Sequence, residues 1–239
     1  MATALITGAT AGIGNSFARL LAAQGYDLVL VARDEARLHR LADELHAQYG
    51  VHAEPFRADL SRYDECAWVE QRLSDANRPI EVLINNAGYG LNARFVGDTM
   101  LAEQGMFDVL ARAVLRLSHA AVGGMVQRGS GTIINVTSVA AWWHRSTYSA
   151  AKSYVLVLSK SLRHEVKRHG VKVTALCPGF TRTEFHTRGD FDMRRMPKFM
   201  WLDADLVAAE AWRDAQKGRA VSVPGRLYKA MHWLMKFSA

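Results

Sequence analysis

The stretch that decides the fold is Thr7-Gly8-Ala9-Thr10-Ala11-Gly12-Ile13-Gly14, near the start of the chain. An apolar run at residues 3–7 precedes it, and an amphipathic helical pattern follows from about Ile13. Three glycines in such a turn permit a tight bend, a close approach of backbone to phosphate, and packing of helix against strand. The helix N-terminus adds N–H groups and a positive dipole end. The stretch therefore predicts a phosphate-binding turn between a strand and a helix.

The same alternation of strand and helix continues almost to the end of the sequence. Short apolar runs predict buried parallel strands, and helical patterns with one apolar face separate them. The predicted strands are residues 3–7, 27–32, 52–57, 80–85, 132–136, 172–176 and 220–223. Such alternation predicts an α/β fold, a doubly wound parallel sheet of about seven strands with helices on both faces. Because no linker or repeat interrupts the pattern, we expect one domain over residues 1–239.

The composition is that of an ordinary globular protein, with 49% apolar and 22% charged residues in a chain of 239. No apolar run reaches the roughly 18 residues of a membrane span, and the N-terminus lacks the basic region of a signal peptide. Cys66 and Cys177 match no metal or redox spacing, and the nine histidines form no metal-binding pattern. We therefore expect a cytoplasmic protein without a metal site.

The formal net charge of +7 raises the question of an anionic partner. The basic residues are spread along the chain, and they cluster only briefly at 163–168 and 194–198. No basic stripe with interleaved aromatic residues and no nucleic-acid-binding signature is present. The sequence therefore predicts a solvated basic surface and no nucleic-acid partner.

The end of the second predicted strand bears on the choice of dinucleotide. This strand ends at Val31-Ala32-Arg33, about 20 residues after the glycine turn. An acidic residue there would bind the ribose 2′-hydroxyl of NAD(H), whereas an arginine suits the 2′-phosphate of NADP(H). Arg33 therefore favours NADP(H). Asp34 follows directly, which leaves NAD(H) as the alternative, with Arg33 then a solvated loop residue.

Tyr148-Ser149-Ala150-Ala151-Lys152 predicts the start of a helix with Tyr148 and Lys152 on one face. A tyrosine with an ordinary pKa of about 10 is a poor proton carrier at neutral pH. A lysine ammonium one turn away, together with a positive nicotinamide ring, favours the phenolate. Ser138 follows the predicted strand 132–136, where its hydroxyl can bond the same substrate oxygen. These side chains predict a site for proton transfer to or from a carbonyl oxygen.

The order of these motifs resembles the short-chain dehydrogenase/reductase family over about residues 1–225. The resemblance rests on TGATAGIG at 7–14, NNAG at 85–88, Ser138, YSAAK at 148–152, and Pro178-Gly179. It implies a Rossmann-type fold and an NAD(P)-dependent oxidoreductase, active as a homodimer or homotetramer. Such an enzyme moves a hydride between the nicotinamide and a carbonyl/alcohol pair.

The resemblance also implies a role for individual side chains. Ser138 would orient the substrate oxygen, Tyr148 would act as acid/base, and Lys152 would bind the ribose and tune Tyr148. The implied cofactor-binding residues are Thr7, Gly8, Thr10, Gly12, Ile13, Gly14, Arg33, Asp59, Leu60, Asn86, Ala87, Gly88, Tyr148, Lys152, Pro178, Gly179 and Thr183. Asp59 and Leu60 would contact the adenine in this arrangement.

The sequence departs from the family's pattern at two places. The family often has asparagine where this chain has Leu110, and that asparagine supports a water-mediated proton relay. The gap between Ser138 and Tyr148 is also shorter than the family commonly shows. We expect the serine to keep its role despite the shorter loop.

Two segments interrupt the alternation of strands and helices. Residues 180–201 are rich in Phe, Met and Arg, and they predict an insertion in the position of a substrate lid. Residues 226–237 predict a short basic-aromatic helix that packs on the body or on another subunit, with contact to a membrane surface as the alternative.

Apolar side chains near the predicted site indicate a bulky, apolar carbonyl or alcohol as substrate. They are Trp142, Trp143, Phe180, Phe185, Met193, Met196, Phe199, Met200 and Trp201. Packing in the core or in a subunit contact is the competing explanation for them.

An alternative of another class is a regulatory protein that senses NADP without turning it over. Such a protein would keep the glycine turn but could lose Tyr148 or Lys152. Because both are present, we favour the enzyme.

Overall fold

The computed structural model describes residues 2–92, 95–143, 145–185, 193 and 196–235. The strands are β1 Thr3–Thr7, β2 Asp27–Ala32, β3 Ala53–Arg57, β4 Val82–Asn85, β5 Gly131–Val136, β6 Val171–Leu176 and β7 Val221–Ser222. They form one sheet of seven strands in the order β3-β2-β1-β4-β5-β6-β7, and every neighbouring pair is parallel. The Rossmann-type doubly wound sheet expected from the sequence is confirmed.

Helices connect successive strands, and one more follows the last strand. They are α1 Gly12–Ala22, α2 Glu35–Tyr49, α3 Tyr63–Ser74, α4 Met100–Phe107, α5 Ala113–Arg128, α6 Thr147–Val166, α7 Ala204–Gln216 and α8 Arg226–Met235. A π-helical turn, Asp108–Arg112, joins α4 to α5. Short 3₁₀ turns lie at Phe95–Gly97, Val139–Trp142, Lys167–His169 and Lys198–Met200. The predicted helix 226–237 begins where expected, and its residues 236 and 237 lie outside the described residues.

Alternating side chains of the strands divide the core into two layers. Ile6 and Leu30 pack with α1, α2 and α7 on one face, whereas Leu5 and Val29 pack with α3 and α5 on the other. All four side chains are at most 1% exposed. Because successive strand residues point to opposite faces, a strand buried on both sides is apolar along its whole length. This is why continuous apolar runs marked the strands in the sequence.

The helical stretch Met100–Arg128 is long and apolar enough to cross a membrane by length and composition alone. Charged residues such as Glu103, Asp108 and Arg112 interrupt it, so no unbroken apolar run marks it in the sequence. Half of its apolar window is buried inside the protein, and Leu117 and Met125 belong to the core beside the sheet. Packing in the core accounts for its apolar character.

The predicted insertion 180–201 leaves the sheet after β6 and returns before α7. At its base Thr181 forms a parallel β-bridge with Leu202. The Leu202 amide donates to the Phe180 carbonyl at 2.7 Å, and the Arg182 amide donates to the Leu202 carbonyl at 3.0 Å. We call these residues, 180–182 and 202, the neck of the insertion. Residues 186–192, 194 and 195 lie outside the described part of the chain.

The strand order places a crevice between β1 and β4. The chain runs outward from β1 to β3 and then crosses to β4 on the other side of β1. In open parallel sheets, ligands bind outside the carboxyl ends of the strands at such a reversal. The glycine turn follows β1 and the NNAG motif follows β4, so the fold brings the two motifs together.

Candidate active site

The glycine turn has the geometry that its sequence predicts. Gly8 and Gly12 have φ angles of +66° and +53°, in the region that favours glycine. A Cβ on Gly14 would overlap the carbonyl oxygen of Gly8 and the side-chain amide of Asn86. A Cβ on Gly12 would lie 2.7 Å from Cγ2 of Thr183. The turn is therefore closely packed by Asn86 at Gly8 and Gly14, and by Thr183 at Gly12.

Thr7 and Asn86 tie the glycine turn to the loop after β4. The Thr7 hydroxyl accepts from the backbone amides of Asn86 and Ala87 at 2.9 and 3.0 Å. The Asn86 side-chain amide donates to the carbonyls of Thr7 and Gly8 at 2.9 and 3.2 Å. These bonds fix the end of β1 relative to the loop that follows β4. Thr7 and Gly14 thus support the turn from behind, whereas the resemblance implied that they bind the cofactor.

The other predicted site residues meet in one cleft of about 1010 Å³ along the carboxyl ends of the strands. The predicted residues that line it are Gly8, Thr10, Gly12, Ile13, Arg33, Asp59, Leu60, Asn86, Ala87, Gly88, Ser138, Tyr148, Lys152, Pro178, Gly179 and Thr183. Pockets for drug-sized ligands measure roughly 300–1,000 Å³. This cleft therefore has room for an elongated dinucleotide. Glycines that leave the backbone open to phosphates, and a helix N-terminus beside them, fit that ligand.

Arg33 and Asp34 follow β2, and both line the cleft. Asp34 is the N-cap of α2, and its carboxylate accepts from the backbone amide of Arg37 at 3.0 Å. The Arg37 guanidinium in turn pairs with Glu184 at 3.0 Å, on the segment that follows Thr183. Asp34 therefore has a structural reason to be acidic. The cation that follows β2 into the cleft is Arg33.

Ser138, Tyr148 and Lys152 come together where β5 ends. Ser138 caps the 3₁₀ turn Val139–Trp142, and it lines the cleft together with Tyr148, whose pKa its hydroxyl lowers. The shorter loop between them thus preserves their contact. The Lys152 ammonium donates to the carbonyl of Val136 at 2.8 Å and lies 5.8 Å from the centre of the Tyr148 ring. An acid, a hydrogen-bond partner and a cation therefore share one end of the cleft.

Burial dominates the acid–base properties of these side chains. It raises the pKa of Tyr148 to about 12, against a smaller lowering by the Ser138 hydrogen bond. Burial also lowers the pKa of Lys152 to about 8. Ser138 thus lowers the pKa of Tyr148 by less than burial raises it, and the role expected of Lys152 together with a positive nicotinamide ring stays a prediction. At neutral pH Tyr148 keeps its proton and Lys152 is mostly charged.

Leu110 lies in the π-helical turn Asp108–Arg112 and is fully buried. It packs with Met106, Ala151 and Tyr148, and its Cδ2 would be 2.8 Å from a Cβ on Gly88. A π-helical turn within a helix often marks a functional site. Leu110 thus forms an apolar wall behind Tyr148 and supplies no side-chain amide for a proton relay. No sequence signal indicated the π-helical turn.

The apolar side chains predicted for substrate binding divide into two groups. Phe180, Phe185, Met193 and Trp143 line the cleft. The Phe185 ring centre lies 5.8 Å from that of Tyr148. This part of the prediction matches the geometry, because the aromatic wall adjoins the acid–base side chain.

The remaining predicted substrate residues lie elsewhere. Trp142 stacks on His232 of α8 with ring centres 4.4 Å apart, and Phe199 is 74% exposed. Trp201 packs beside Phe180 at 5.9 Å between ring centres. Met196, Met200, Trp142, Phe199 and Trp201 are not among the side chains that line the cleft. Sequence spacing did not separate the two groups, because their distances from the cleft depend on how the insertion folds.

Sequence reasoning also missed several side chains in the cleft. They include the apolar side chains of Tyr89, Leu91, Val139 and Ala140. Tyr89 and Leu91 directly follow the NNAG motif, so their position in the chain was the available signal. Among the residues that the structure describes, His, Cys, Asp and Glu form no group of three or more that could hold a metal ion.

Comparison with known proteins identifies the family. The family model for short chain dehydrogenases matches residues 2–192. The chain belongs to the short-chain dehydrogenase family. It is therefore an NAD(P)-dependent oxidoreductase, as the motifs predicted, and the short-chain dehydrogenase fold accounts for the convergence of the glycine turn and Tyr148.

Individual short-chain dehydrogenases resemble the chain over most of its length. Sulfoacetaldehyde reductase 2 from Chromohalobacter salexigens is 37% identical over 196 residues, which cover 78% of this chain and 76% of that protein. The structure of a short-chain dehydrogenase from Sphingobium yanoikuyae in complex with NADPH matches with a TM-score of 0.93 and 36% identity, over 100% of this chain and 93% of that one. The bulky-bulky ketone specific alcohol dehydrogenase from Comamonas testosteroni matches with a TM-score of 0.85 and 31% identity, over 99% and 94%.

Proposed function

We propose that the protein transfers a hydride between NADP(H) and a bulky, apolar carbonyl/secondary alcohol pair. The observation that carries the proposal is that Ser138, Tyr148 and Lys152 line the same cleft as the glycine turn, with the Lys152 ammonium 5.8 Å from the centre of the Tyr148 ring. NADPH bound by a similar short-chain dehydrogenase supports the choice of cofactor.

The side chains divide the work of carbonyl reduction between them. NADP(H), when bound, supplies or accepts the hydride at the substrate carbon. Ser138 holds the carbonyl oxygen, and Tyr148 donates its proton to that oxygen as negative charge develops on it. Lys152, fixed by the Val136 carbonyl, places a positive charge beside the phenolate that Tyr148 becomes. In alcohol oxidation the proton returns to Tyr148.

A direct test follows the nicotinamide absorbance with NADPH and NADH in turn, against a graded panel of apolar ketones and alcohols. We expect oxidation of NADPH with at least one ketone of the panel. Binding of NADPH without turnover of any carbonyl would favour the regulatory alternative. The similar proteins described above are named reductases and dehydrogenases, and none of them supports that alternative.

Replacement Arg33→Asp tests the choice of NADP(H). It removes a cationic partner of the 2′-phosphate and puts a like charge in its place. We expect NADPH affinity to fall at least tenfold, with a smaller effect on NADH, measured by fluorescence titration. Arg40→Asp on the exposed side of α2 makes the same charge change outside the cleft and controls for net charge. Equal affinity of the wild type for the two cofactors would contradict the role of Arg33.

The apolar substrate is tested with a series of ketones of increasing chain length. Phe185, Trp143 and Met193 face the cleft near Tyr148, and each methylene buried there stabilises binding by up to about 0.8 kcal/mol. We expect kcat/KM to rise severalfold per added carbon before it levels off. A flat response, or a preference for sugars or carboxylates, would mean that these side chains serve packing alone.

The domain count, the cellular location and the subunit number are further parts of the proposal. Composition and family resemblance support one domain, a cytoplasmic location and a homodimer or homotetramer. Leu115 on α5 and Val157 on α6 are 42% and 62% exposed, as a subunit contact would require. Membrane-surface contact through α8 stays the alternative use of that helix, and we propose no nucleic-acid partner.

A further inference from the structure

Helix α8 reaches the substrate end of the cleft through Tyr228. This side chain is 1% exposed and is the largest of the fully buried side chains among the described residues. Its ring lies flush against Gly179, since a Cβ at that position would overlap three ring atoms. Gly179 lines the cleft directly after β6. The ring of Tyr228 therefore supports the back of the cleft wall.

The Tyr228 hydroxyl joins the two ends of the insertion. It accepts from the backbone amide of Phe180 at 3.1 Å and donates to the carbonyl of Met200 at 2.8 Å. Phe180 begins the insertion and lines the cleft, whereas Met200 lies near its end. One buried oxygen thus satisfies a donor and an acceptor that are 20 residues apart in the sequence. The bridge at the neck adjoins this contact.

The same helix also contacts a second segment that borders the cleft. The His232 ring, one turn after Tyr228, stacks on Trp142 with an interplanar angle of 20°. Trp142 ends the 3₁₀ turn that Ser138 caps, and its neighbour Trp143 lines the cleft. Displacement of α8 would therefore disturb two segments that line the cleft, at Gly179 and at Trp143.

We propose that Tyr228 is a positioning residue that sets the width of the substrate pocket by holding Phe180 and Met200 together. The inference rests on the proposed function, because it concerns the pocket for a bulky carbonyl compound. Tyr228 itself does not line the cleft, so it acts through Phe180. Removal of its hydroxyl takes one hydrogen bond from the part-buried amide of Phe180 and one from the part-buried carbonyl of Met200, and each lost bond costs stability. The neck then relaxes while the ring still supports Gly179.

The test compares Tyr228→Phe with Tyr26→Phe. Tyr26 packs edge-on against Trp212 at 5.9 Å, outside the cleft, so its replacement makes the same chemical change elsewhere. We expect Tyr228→Phe to raise KM for a bulky ketone at least tenfold. We expect kcat for a small ketone and the Kd of NADPH to stay within about threefold of the wild type. Tyr26→Phe should match the wild type in all three measurements.

Equal losses with large and small ketones would show a merely structural role, and unchanged kinetics would also overturn the proposal. Trypsin cleavage after Arg182 and Lys198 supplies a measurement that does not depend on activity. Cleavage should be faster in Tyr228→Phe than in Tyr26→Phe. Equal rates would contradict the proposal that the Tyr228 hydroxyl holds Phe180 and Met200 together.

Two further outcomes distinguish the inference from the proposed function. If the wild type reduces no ketone, the proposed function fails, and the trypsin rates still decide whether Tyr228 holds the insertion. If Tyr228→Phe does not fold, amide hydrogen exchange of the wild type decides. The Phe180 amide must then exchange slowly, because it donates to a buried hydroxyl. Rapid exchange of that amide would overturn the proposal.

Discussion

Replacement Tyr148→Phe is expected to lower turnover by about a thousandfold or more while NADPH still binds. General acid–base catalysis contributes roughly 10² to 10⁴ to rates, and the replacement removes the only proton that the mechanism takes from this side chain. The ring keeps its contacts with Leu110 and Phe185, so the cleft keeps its shape. Single-turnover absorbance at the nicotinamide band measures the hydride step, and fluorescence titration measures NADPH affinity.

Tyr154→Phe is the matched control for this variant. Tyr154 lies on the same helix, α6, is 39% exposed, and does not line the cleft. Tyr154→Phe should retain wild-type rates.

Lys152→Ala should impair both turnover and NADPH binding, since one ammonium serves both. Substantial activity in Tyr148→Phe would refute the assignment of the proton to that hydroxyl.

Gly14→Ala is expected to weaken NADPH binding about a hundredfold and to lower the melting temperature. The new methyl group would overlap the Gly8 carbonyl and the Asn86 side chain, neither of which is the free end of a flexible side chain. Overpacking of this kind costs about 1–3 kcal/mol, and here the turn that cradles the phosphates must move to relieve it. Isothermal titration and thermal melting would measure the two effects.

Gly123→Ala provides the control for the glycine variant. A Cβ at this position, inside α5, meets nothing within 4 Å. Alanine in a helix interior is favoured over glycine by about 1 kcal/mol, so this variant should melt at the same or a higher temperature. If Gly14→Ala bound NADPH as tightly as Gly123→Ala does, the turn would have to be more adaptable than its packing indicates.

The fold followed from the sequence because its determinants are local and periodic. Strands buried on both faces are apolar throughout their length. Because strands and helices alternate along the chain, they form βαβ units, whose crossover connections are right-handed in nearly all proteins. The differences lie at the ends of elements. Residues 80 and 81 were predicted as strand, yet β4 begins at Val82. The backbone amide of Glu81 still donates to the Thr3 carbonyl at 2.9 Å. Strand β7 has only two residues, since it pairs with Ala175 and Leu176 alone.

The candidate site was predictable where its chemistry depends on short motifs. The glycine turn, the NNAG segment and the Tyr148–Lys152 pair are each encoded within a few residues. The missed features depend on contacts between distant segments. Tyr228 meets Phe180 across 48 residues of sequence, and the aromatic side chains of the insertion divide between cleft and surface only once it is folded. The effect of burial on the pKa of Tyr148 was not predictable for the same reason, because burial is a property of the whole fold.

The neck of the insertion has a consequence for how the family can diversify. Thr181 and Leu202 close the base through backbone bonds, which do not depend on the identity of the side chains between them. Closure of a loop costs little more free energy when the loop lengthens, so such a segment tolerates changes in length. The catalytic hydroxyl and the glycine turn lie on elements outside it. New substrate ranges can therefore evolve, or be engineered, by grafting foreign segments between Glu184 and Met200, which leaves Thr183 beside the glycine turn and Tyr148 on its own helix.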